Sequence, residues 1–346
     1  MISIRNTIPK LVSLYESYFR EKVRSIVKLK GDGSLRLLFC LRSENHSAIG
    51  VYGSSIAENM AFIEFTQHFH NYNLNVPQIY SKEKSMIYLE QDLGDMTFFN
   101  WISLMRENGV SLEKIYDFYI KVVTVLPRFQ ITAGKDINFS YCYQHDEFGR
   151  ESMMWDLLYF KNRFLDVFYH DSINQAALEN DFNNLLRFLL EEPRNYFMYR
   201  DFQSRNIMIY NNEPYFIDYQ SGRRGALEYD IASLLYDAKA DIPQSMRVKL
   251  LKAYLDQVND IEKINVEQFM IHFHGFALIR IMQALGAYGF LGSIKGKRRF
   301  LDSIPYAINN AKTLLSTHAV LSDLKMIQEI FCNLANDKII MAYQND

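Results

Sequence analysis

The apolar residues of this chain change their period once, near residue 90. Before that point the apolar runs are short and typical of strands, apart from one run of helical period at 56–72. After it, long segments carry apolar residues at helical spacing. These segments are 112–130, 152–168, 173–191, 244–258, 266–291 and 303–316. The order of these patterns indicates a small β-rich lobe followed by a large helical lobe.

We therefore expect an α+β protein with a small β-rich N-lobe and a large helical C-lobe. The chain has 346 residues, more than one compact core usually serves. The N-lobe, residues 1–92, is predicted to hold five strands and one main helix. The C-lobe, residues 93–346, is predicted to be helical except for a loop and hairpin near 196–220. The segment 90–95 is the expected hinge.

The charge balance gives no support for a polyanionic partner. The formal net charge is −2, from 38 basic and 40 acidic residues, and the basic clusters are short. We therefore expect neither nucleic acid nor an anionic membrane as a partner, and the sequence names no protein partner. The longest apolar run, 276–291, contains Arg280 and predicts a buried core helix. Three widely spaced cysteines fit a reducing compartment, so we expect a cytoplasmic protein.

The segment from Tyr199 to Asp218 contains the residues with the clearest candidate chemical roles. Two short apolar segments, 207–210 and 215–217, flank Asn211-Asn212-Glu213-Pro214, which is strong turn chemistry. If the segments pair as a hairpin, Asn206 lies opposite Asp218, with Cα atoms about 4.5–5.5 Å apart. An amide oxygen and a carboxylate side by side suit Mg²⁺ held jointly with nucleotide phosphates.

Asp201 lies in the same loop, five residues before Asn206. A carboxylate there can orient and deprotonate an attacking hydroxyl, while a metal neutralises developing phosphate charge. Each of these residues alone is more often a cap or a turn residue, so the prediction depends on their joint spacing. Asp230 begins an apolar helical face and is predicted to cap that helix and brace the catalytic loop.

The set formed by Asp201, Asn206 and Asp218 resembles that of the protein-kinase-like phosphotransferases, the superfamily of aminoglycoside phosphotransferases and choline kinases. The chain is most similar to the bacterial anomeric sugar kinases that phosphorylate N-acetylmuramate and N-acetylglucosamine. The matching segments are 31–34, 90–95, 199–206, 217–237 and 280–289.

The resemblance implies a bilobal protein-kinase-like fold with ATP between the lobes and Mg²⁺ as the second cofactor. It implies that Asp201 is the catalytic base and that Asn206 and Asp218 bind the metal. It also implies a nucleotide site in the N-lobe. That site consists of the phosphate loop Gly31, Asp32, Gly33 and Ser34 and the adenine-edge segment Glu90, Gln91 and Asp92. Taken by itself, the glycine loop is also an ordinary hairpin turn.

The sequence departs from the protein-kinase pattern in ways that affect function. Tyr199 replaces a histidine and Gln203 replaces a lysine, which argues against a protein kinase acting on Ser or Thr. The third strand, 48–52, has no lysine for the α- and β-phosphates. Arg36 or Lys28 could replace it, or backbone amides could suffice.

A glutamate partner for such a cation could be Glu58 or Glu64. Arg223, Arg224 and Glu228 follow the segment of Asp218 and could frame the acceptor site, and the resemblance implies Glu151 and Trp155 as further candidates for it. Surface solvation, helix capping or core packing are equally ordinary roles for these residues.

The function predicted from the sequence is transfer of the ATP γ-phosphoryl group to a hydroxyl of a small polar metabolite. By resemblance, the leading acceptor is an amino sugar phosphorylated at its anomeric hydroxyl in cell-wall recycling. Choline, an amino alcohol or an aminoglycoside is the alternative acceptor. A nucleotide-binding pseudokinase regulator is the alternative of another class, motivated by the missing lysine.

Overall fold

The structure is a computed structural model that describes residues 4–29, 36–83 and 86–343. The described strands are β1 (Ser25–Lys28), β2 (Leu37–Arg42), β3 (Ser47–Tyr52), β4 (Ile79–Glu83), β5 (Ile87–Gln91), β6 (Tyr196–Met198), β7 (Ile207–Tyr210), β8 (Glu213–Phe216) and β9 (Arg223–Gly225). The described helices are α1 (Ile4–Phe19), α2 (Ile56–Asn71), α3 (Phe98–Glu107), α4 (Leu112–Pro127), α5 (Arg150–Phe160), α6 (Asp166–Phe168), α7 (Gln175–Leu189), α8 (Glu228–Leu235), α9 (Gln244–Ile261), α10 (Val266–Gly289), α11 (Ile304–Thr317), α12 (Lys325–Asn336) and α13 (Lys338–Ala342).

The first five strands form one antiparallel sheet in the order β1-β2-β3-β5-β4. Side chains alternate between its two faces, so Leu89 packs with α1 on one face and Tyr88 packs toward α2 on the other. The predicted five strands are therefore confirmed. The prediction of one helix in this lobe was wrong, because Leu11 and Tyr15 of α1 close the outer face of the sheet.

The strand β5 ends at Gln91 and α3 begins at Phe98, so the chain passes from sheet to helices close to the boundary predicted at residue 92. That boundary stays a prediction. The segment between them turns at Gly94, whose φ of 77° lies in the left-handed region that favours glycine. The amide of Gly94 donates to Oδ1 of Asp92 at 3.0 Å, which fixes this turn.

The helical lobe is built around α10. This helix packs against α5, α8 and α11, and its middle residues are buried. The segment Val266–Ile294 is long and apolar enough to cross a membrane by length and composition, but 61% of its apolar window is buried inside the protein. The prediction of a buried core helix in this region is confirmed.

The predicted hairpin exists as β7 and β8, but its turn is shorter than expected. Only Asn211 and Asn212 form the turn, with φ of 51° and 62°, because a two-residue turn of this kind matches the twist of the strands. The strand β8 consequently begins at Glu213. The shorter turn shifts the register by one residue, so that Asn206 accepts from the amide of Ile217 at 3.0 Å rather than facing Asp218.

Glu228 lies at the start of α8, buried beside Glu192. Burial and the neighbouring Glu192 raise the pKa of the Glu228 carboxyl well above its ordinary value. The pKa of Glu192 is lowered, because hydrogen bonds from His272 at 2.8 Å and from Gln268 at 2.8 Å outweigh its burial. The pair therefore consists of a neutral Glu228 and an ionised Glu192.

We expect the substitution Glu228→Gln to flatten part of the pH dependence of stability. The folded state keeps Glu228 protonated, whereas the unfolded state ionises it near the ordinary glutamate value. The stabilisation that this group provides is therefore fully present below the ordinary glutamate pKa and is lost as the pH rises above it. Between about pH 5 and 7, the wild-type free energy of unfolding should fall relative to Glu228→Gln by up to about 1.4 kcal/mol per pH unit.

Urea unfolding followed by circular dichroism at several pH values measures this difference. The exposed Glu179→Gln on α7 is the control and should track the wild type. Parallel pH curves for the wild type and Glu228→Gln would contradict the neutral state of Glu228.

Candidate active site

A cavity of about 630 Å³ opens between the sheet and the helical lobe. It brings together Asp201, Asn206 and Asp218, the three residues singled out from the sequence. Residues of the N-lobe that line it are Arg36, Leu38, Ser54, Ser55 and Glu58. The three predicted side chains thus share one cleft, as their spacing required.

The loop that carries Asp201 is anchored by a buried carboxylate on α8. Asp230 accepts hydrogen bonds from the backbone amides of Tyr199 at 2.7 Å and Arg200 at 2.9 Å, and from Nε2 of Gln130 at 3.1 Å. Burial raises the pKa of Asp230 to about 7, against these three donors. The predicted brace is confirmed, whereas the predicted cap was wrong because Leu227 takes that position.

Arg200 fixes the same loop through its side chain. Its guanidinium donates to both oxygens of Asp156, at 2.8 and 2.6 Å, and to the hydroxyl of Tyr229 at 2.5 Å. The backbone of Arg200 has φ of 79°, a conformation that costs energy for a residue with a side chain. The buried ion pair holds the chain in this conformation and so determines where the next residue, Asp201, points.

Asp201 lies at the floor of the cleft. Burial raises the pKa of its carboxyl, while the positive charges of Arg200 and Arg280 oppose that rise. A carboxylate with a raised pKa accepts a proton more readily than an exposed one. Its position and its pKa both suit a general base.

The side chains of Asn206 and Asp218 meet despite the shifted register. Asp218 has φ of 70°, and this left-handed backbone turns its carboxylate back toward Asn206. The distance from Nδ2 of Asn206 to Oδ2 of Asp218 is 3.4 Å, and the same Nδ2 donates to the backbone oxygen of Asp201 at 2.9 Å. Because Nδ2 is used in this way, the amide oxygen of Asn206 remains as an acceptor, and the pair offers the oxygen donors that Mg²⁺ prefers.

Arg36 crosses the cleft and contacts the same carboxylate. Its Nη2 lies 2.8 Å from Oδ1 of Asp218, and its Nε lies 3.5 Å from Oε1 of Glu58. Of the two glutamates considered from the sequence, Glu58 therefore pairs with Arg36, whereas Glu64 pairs with Lys82 at 3.5 Å. The side chain of Arg36 is 11% exposed.

Of the two predicted nucleotide segments, the structure describes only the adenine-edge segment. Gly31, Asp32, Gly33 and Ser34 lie outside the described residues. Glu90 is flanked in the sheet by Ile49 and Ile79, so its side chain rather than its backbone faces the cleft side of the sheet. Gln91 is the last residue of β5 and pairs with Ala48 of β3, so Asp92 is the first residue beyond this sheet.

Two of the five acceptor candidates, Trp155 and Arg223, line a second cavity of about 320 Å³ that also contains Asp156 and Arg200. Trp155 is 56% exposed and stacks on Tyr159 with ring centres 5.0 Å apart. Burial and the nearby Arg200 lower the pKa of Arg223 to about 10.

The other three candidates do not line this second cavity. Glu151 is exposed on α5, and the guanidinium of Arg224 lies over the ring of Phe139 at 4.2 Å. Glu228 lines a separate cavity of about 230 Å³ with Glu192. The structure therefore does not bring these three to the cleft.

The cleft also contains residues that the sequence gave no reason to select. On the helical side they are Gln203, Arg205, Asp237, Lys239, Tyr288 and Phe300. They come from segments far apart in the chain, so only the packing of α8, α10 and α11 brings them together. Gln220 had a signal, since it follows Asp218, the predicted metal ligand, by two residues, and its Nε2 donates to Oδ1 of Asp218 at 2.9 Å.

Comparison with known proteins identifies the family. The phosphotransferase enzyme family matches residues 50–265. An N-acetylmuramate/N-acetylglucosamine kinase of Neisseria meningitidis is 23% identical over 258 residues, covering 72% of this chain and 74% of the relative. The kinase of that same name from Pseudomonas putida is 23% identical over 288 residues, covering 81% of this chain and 80% of the relative.

Solved structures show the same fold at low sequence identity. Choline kinase LicA from Streptococcus pneumoniae superposes with a TM-score of 0.54 at 13% identity, covering 91% of this chain and 99% of that one. ADP-bound aminoglycoside phosphotransferase APH(2'')-Ib gives 0.55 at 13% identity, covering 91% and 98%. These similarities confirm the predicted kinase-like fold. Because the family match spans more than half of its residues, the chain belongs to the phosphotransferase enzyme family and is a small-molecule phosphotransferase that acts on a hydroxyl acceptor.

Proposed function

We propose that this protein is an ATP- and Mg²⁺-dependent kinase that phosphorylates the anomeric hydroxyl of N-acetylmuramate or N-acetylglucosamine. The observation that carries the kinase chemistry is the convergence of Asp201 with the Asn206–Asp218 pair in one cleft. The names of the curated relatives support the choice of acceptor. Such a reaction fits the recycling of cell-wall sugars in the cytoplasm.

The residues of the cleft supply the proton transfer and the positioning. Asp201 accepts the proton of the acceptor hydroxyl as that oxygen forms its bond to the γ-phosphorus, and the bond from phosphorus to the ADP oxygen breaks. Asn206 and Asp218 would hold the metal ion. When bound, Mg²⁺ neutralises negative charge on the phosphates. The buried anchors of the loop, Asp230 and the Arg200–Asp156 pair, keep Asp201 aligned during the reaction.

We place the nucleotide between the lobes. The amides of Gly31, Asp32, Gly33 and Ser34 would contact its phosphates, and Arg36 would lie beside them. The chain at Glu90, Gln91 and Asp92 would contact the adenine, and Asp92, the first residue beyond the sheet, is the best placed of the three. Leu38 and Ile217 line the cavity and offer apolar surface for a purine ring.

We place the acceptor beside Asp201 in the helical lobe. Trp155 and Arg223 are the best-placed candidates because their cavity includes Arg200, the neighbour of Asp201 in the chain. An exposed indole offers a flat apolar surface to a sugar ring, and a guanidinium can bind an acidic substituent. Glu151, Arg224 and Glu228 are weaker candidates, since none of them lines this cavity or the cleft.

A second acceptor class is supported by the solved structures. Their titles name choline kinase, ethanolamine kinase and aminoglycoside phosphotransferases, and these proteins share the fold. Choline, an amino alcohol or an aminoglycoside is therefore the alternative acceptor. A regulator without activity is not proposed, because the chain belongs to an enzyme family and keeps the carboxylates that the reaction needs.

We expect Asp201→Asn to lower turnover by about 10²- to 10⁴-fold, because the base is lost while the amide keeps the shape of the side chain. The affinity for ADP, measured by isothermal titration calorimetry, should stay within about twofold of the wild type. The exposed Asp256→Asn on α9 is the matched control and should retain full activity. Turnover by Asp201→Asn close to that of the control would show that Asp201 is not the base.

We expect an acceptor screen with radiolabelled ATP to give turnover on N-acetylmuramate, on N-acetylglucosamine or on both. Choline, ethanolamine and kanamycin serve as the comparison acceptors. The product of a sugar reaction should have lost its reducing end, because the phosphate occupies the anomeric oxygen. Turnover only on a comparison acceptor would overturn the proposed sugar while leaving the phosphotransferase chemistry intact.

A further inference from the structure

The N-lobe lacks the basic residue that a kinase-like fold normally places on its third strand. In protein kinases a lysine of that strand contacts the nucleotide phosphates and pairs with a glutamate of the neighbouring helix. Here β3 reads Ser-Ala-Ile-Gly-Val-Tyr, which contains no cation. The central strand of this sheet therefore cannot provide the positive charge.

Arg36, which immediately precedes β2, makes the contacts that such a lysine would make. Its guanidinium lies 3.5 Å from Glu58 of α2 and 2.8 Å from Asp218, which follows the hairpin of the helical lobe. It also lies 3.4 Å from the hydroxyl of Tyr88 and over the ring of Phe62 at 5.6 Å. The residue therefore reaches both lobes from a buried position at the wall of the cleft.

Three carboxyl groups surround the guanidinium of Arg36. Glu90 lies on the same face of β5 as Tyr88, and its Oε2 is buried without a hydrogen-bond partner. Attraction to Arg36 opposes the rise in the pKa of Glu90 that its burial causes. One guanidinium thus faces the carboxyl groups of Glu58, Glu90 and Asp218, an arrangement that keeps it charged and fixed in place.

A guanidinium can hold acids and a phosphate at once. It carries five N–H donors in a planar fork, so one edge can stay on Glu58 while another binds an anionic oxygen. The cavity that Arg36 lines also contains the proposed metal pair. A phosphate placed against that pair would therefore lie beside the guanidinium.

We infer that Arg36 is the cation that binds the α- and β-phosphates of the nucleotide, and that Glu58 is the residue that positions it. The role of the third-strand lysine has moved to the start of the second strand, and the acid of the helix has been kept. This inference rests on the proposed use of ATP and adds which residues of the N-lobe recognise its phosphates.

The test measures ADP affinity by isothermal titration calorimetry, which needs no acceptor. We expect Arg36→Met to weaken ADP binding by about 10- to 100-fold, the loss typical of removing charged hydrogen bonds, and Arg36→Lys to fall in between. The acceptor KM of Arg36→Lys should stay within about twofold of the wild type. Arg24→Met, which removes an exposed cation paired with Glu44 beyond the sheet edge, is the control and should bind ADP normally.

The positioning role of Glu58 is tested by a double-mutant cycle. Glu58→Gln should weaken ADP binding about threefold or more in the wild type, and should add almost nothing in the Arg36→Met background, because its partner is already absent. Glu64→Gln, which removes a half-buried acid of the same helix that pairs with Lys82 rather than Arg36, is the matched control. Thermal unfolding of each variant separates lost binding from lost folding.

Two results would overturn the inference. ADP affinity of folded Arg36→Met within twofold of the wild type would show that Arg36 does not bind the phosphates. Additive losses in the Glu58 cycle would show that Glu58 does not act through Arg36. Neither result affects the proposed function, which the Asp201 variant and the acceptor screen test separately.

Discussion

The structure depends most on the buried carboxylates that hold the catalytic loop. Asp230 accepts hydrogen bonds from the backbone amides of Tyr199 and Arg200, and Asp156 forms an ion pair with the guanidinium of Arg200. Breaking one partner of such a buried pair typically costs about 3–5 kcal/mol, because the other charge is left uncompensated. That energy is available to keep Arg200 in its left-handed conformation. The interactions that orient Asp201 are therefore separate from the side chains that would take part in the reaction.

The same loop is also joined to the segment that carries Asp218. The hydroxyl of Tyr199 donates to the backbone oxygen of Ile217 at 2.5 Å, just before Asp218. The ring of Tyr219 stacks on Phe62 of α2 with centres 5.1 Å apart, and its hydroxyl meets Thr66 at 2.5 Å. Through these contacts the catalytic loop, the Asp218 segment and the helix of Glu58 form one packed unit. A tyrosine in place of the kinase histidine thus has a structural role here.

The sequence was sufficient for the features that depend on local pattern. Period and turn residues predicted the five strands, the hairpin and the long helices of the C-lobe, and spacing predicted that Asp201, Asn206 and Asp218 would share a cleft. The register of the hairpin was missed by one residue, because a two-residue turn with positive φ at both asparagines competes with the longer turn that Pro214 suggested. Helix α1 was not predicted, although Leu11 and Tyr15 on its buried face cover the outer side of the sheet.

The features that the sequence could not supply come from long-range packing. Arg36 and Asp218 are 182 residues apart, and no local pattern predicts their contact. The residues that line the helical side of the cleft, such as Lys239 and Tyr288, are brought together only by the arrangement of helices. Glu228 shows the opposite case. Its position shortly after Asp218 suggested the acceptor site, but it is buried beside Glu192 and lines a separate cavity. Local sequence therefore predicted the candidate catalytic residues, whereas tertiary contacts determine which residues surround them.

The most direct measurement is a crystal structure of the protein with a non-hydrolysable ATP analogue and Mg²⁺. The account predicts a metal ion at about 2.1 Å from one oxygen of Asn206 and one of Asp218, with the γ-phosphate facing Asp201. It also predicts the guanidinium of Arg36 on the α- or β-phosphate. A nucleotide bound outside this cleft, or a metal ion that Asn206 and Asp218 do not contact, would contradict the account.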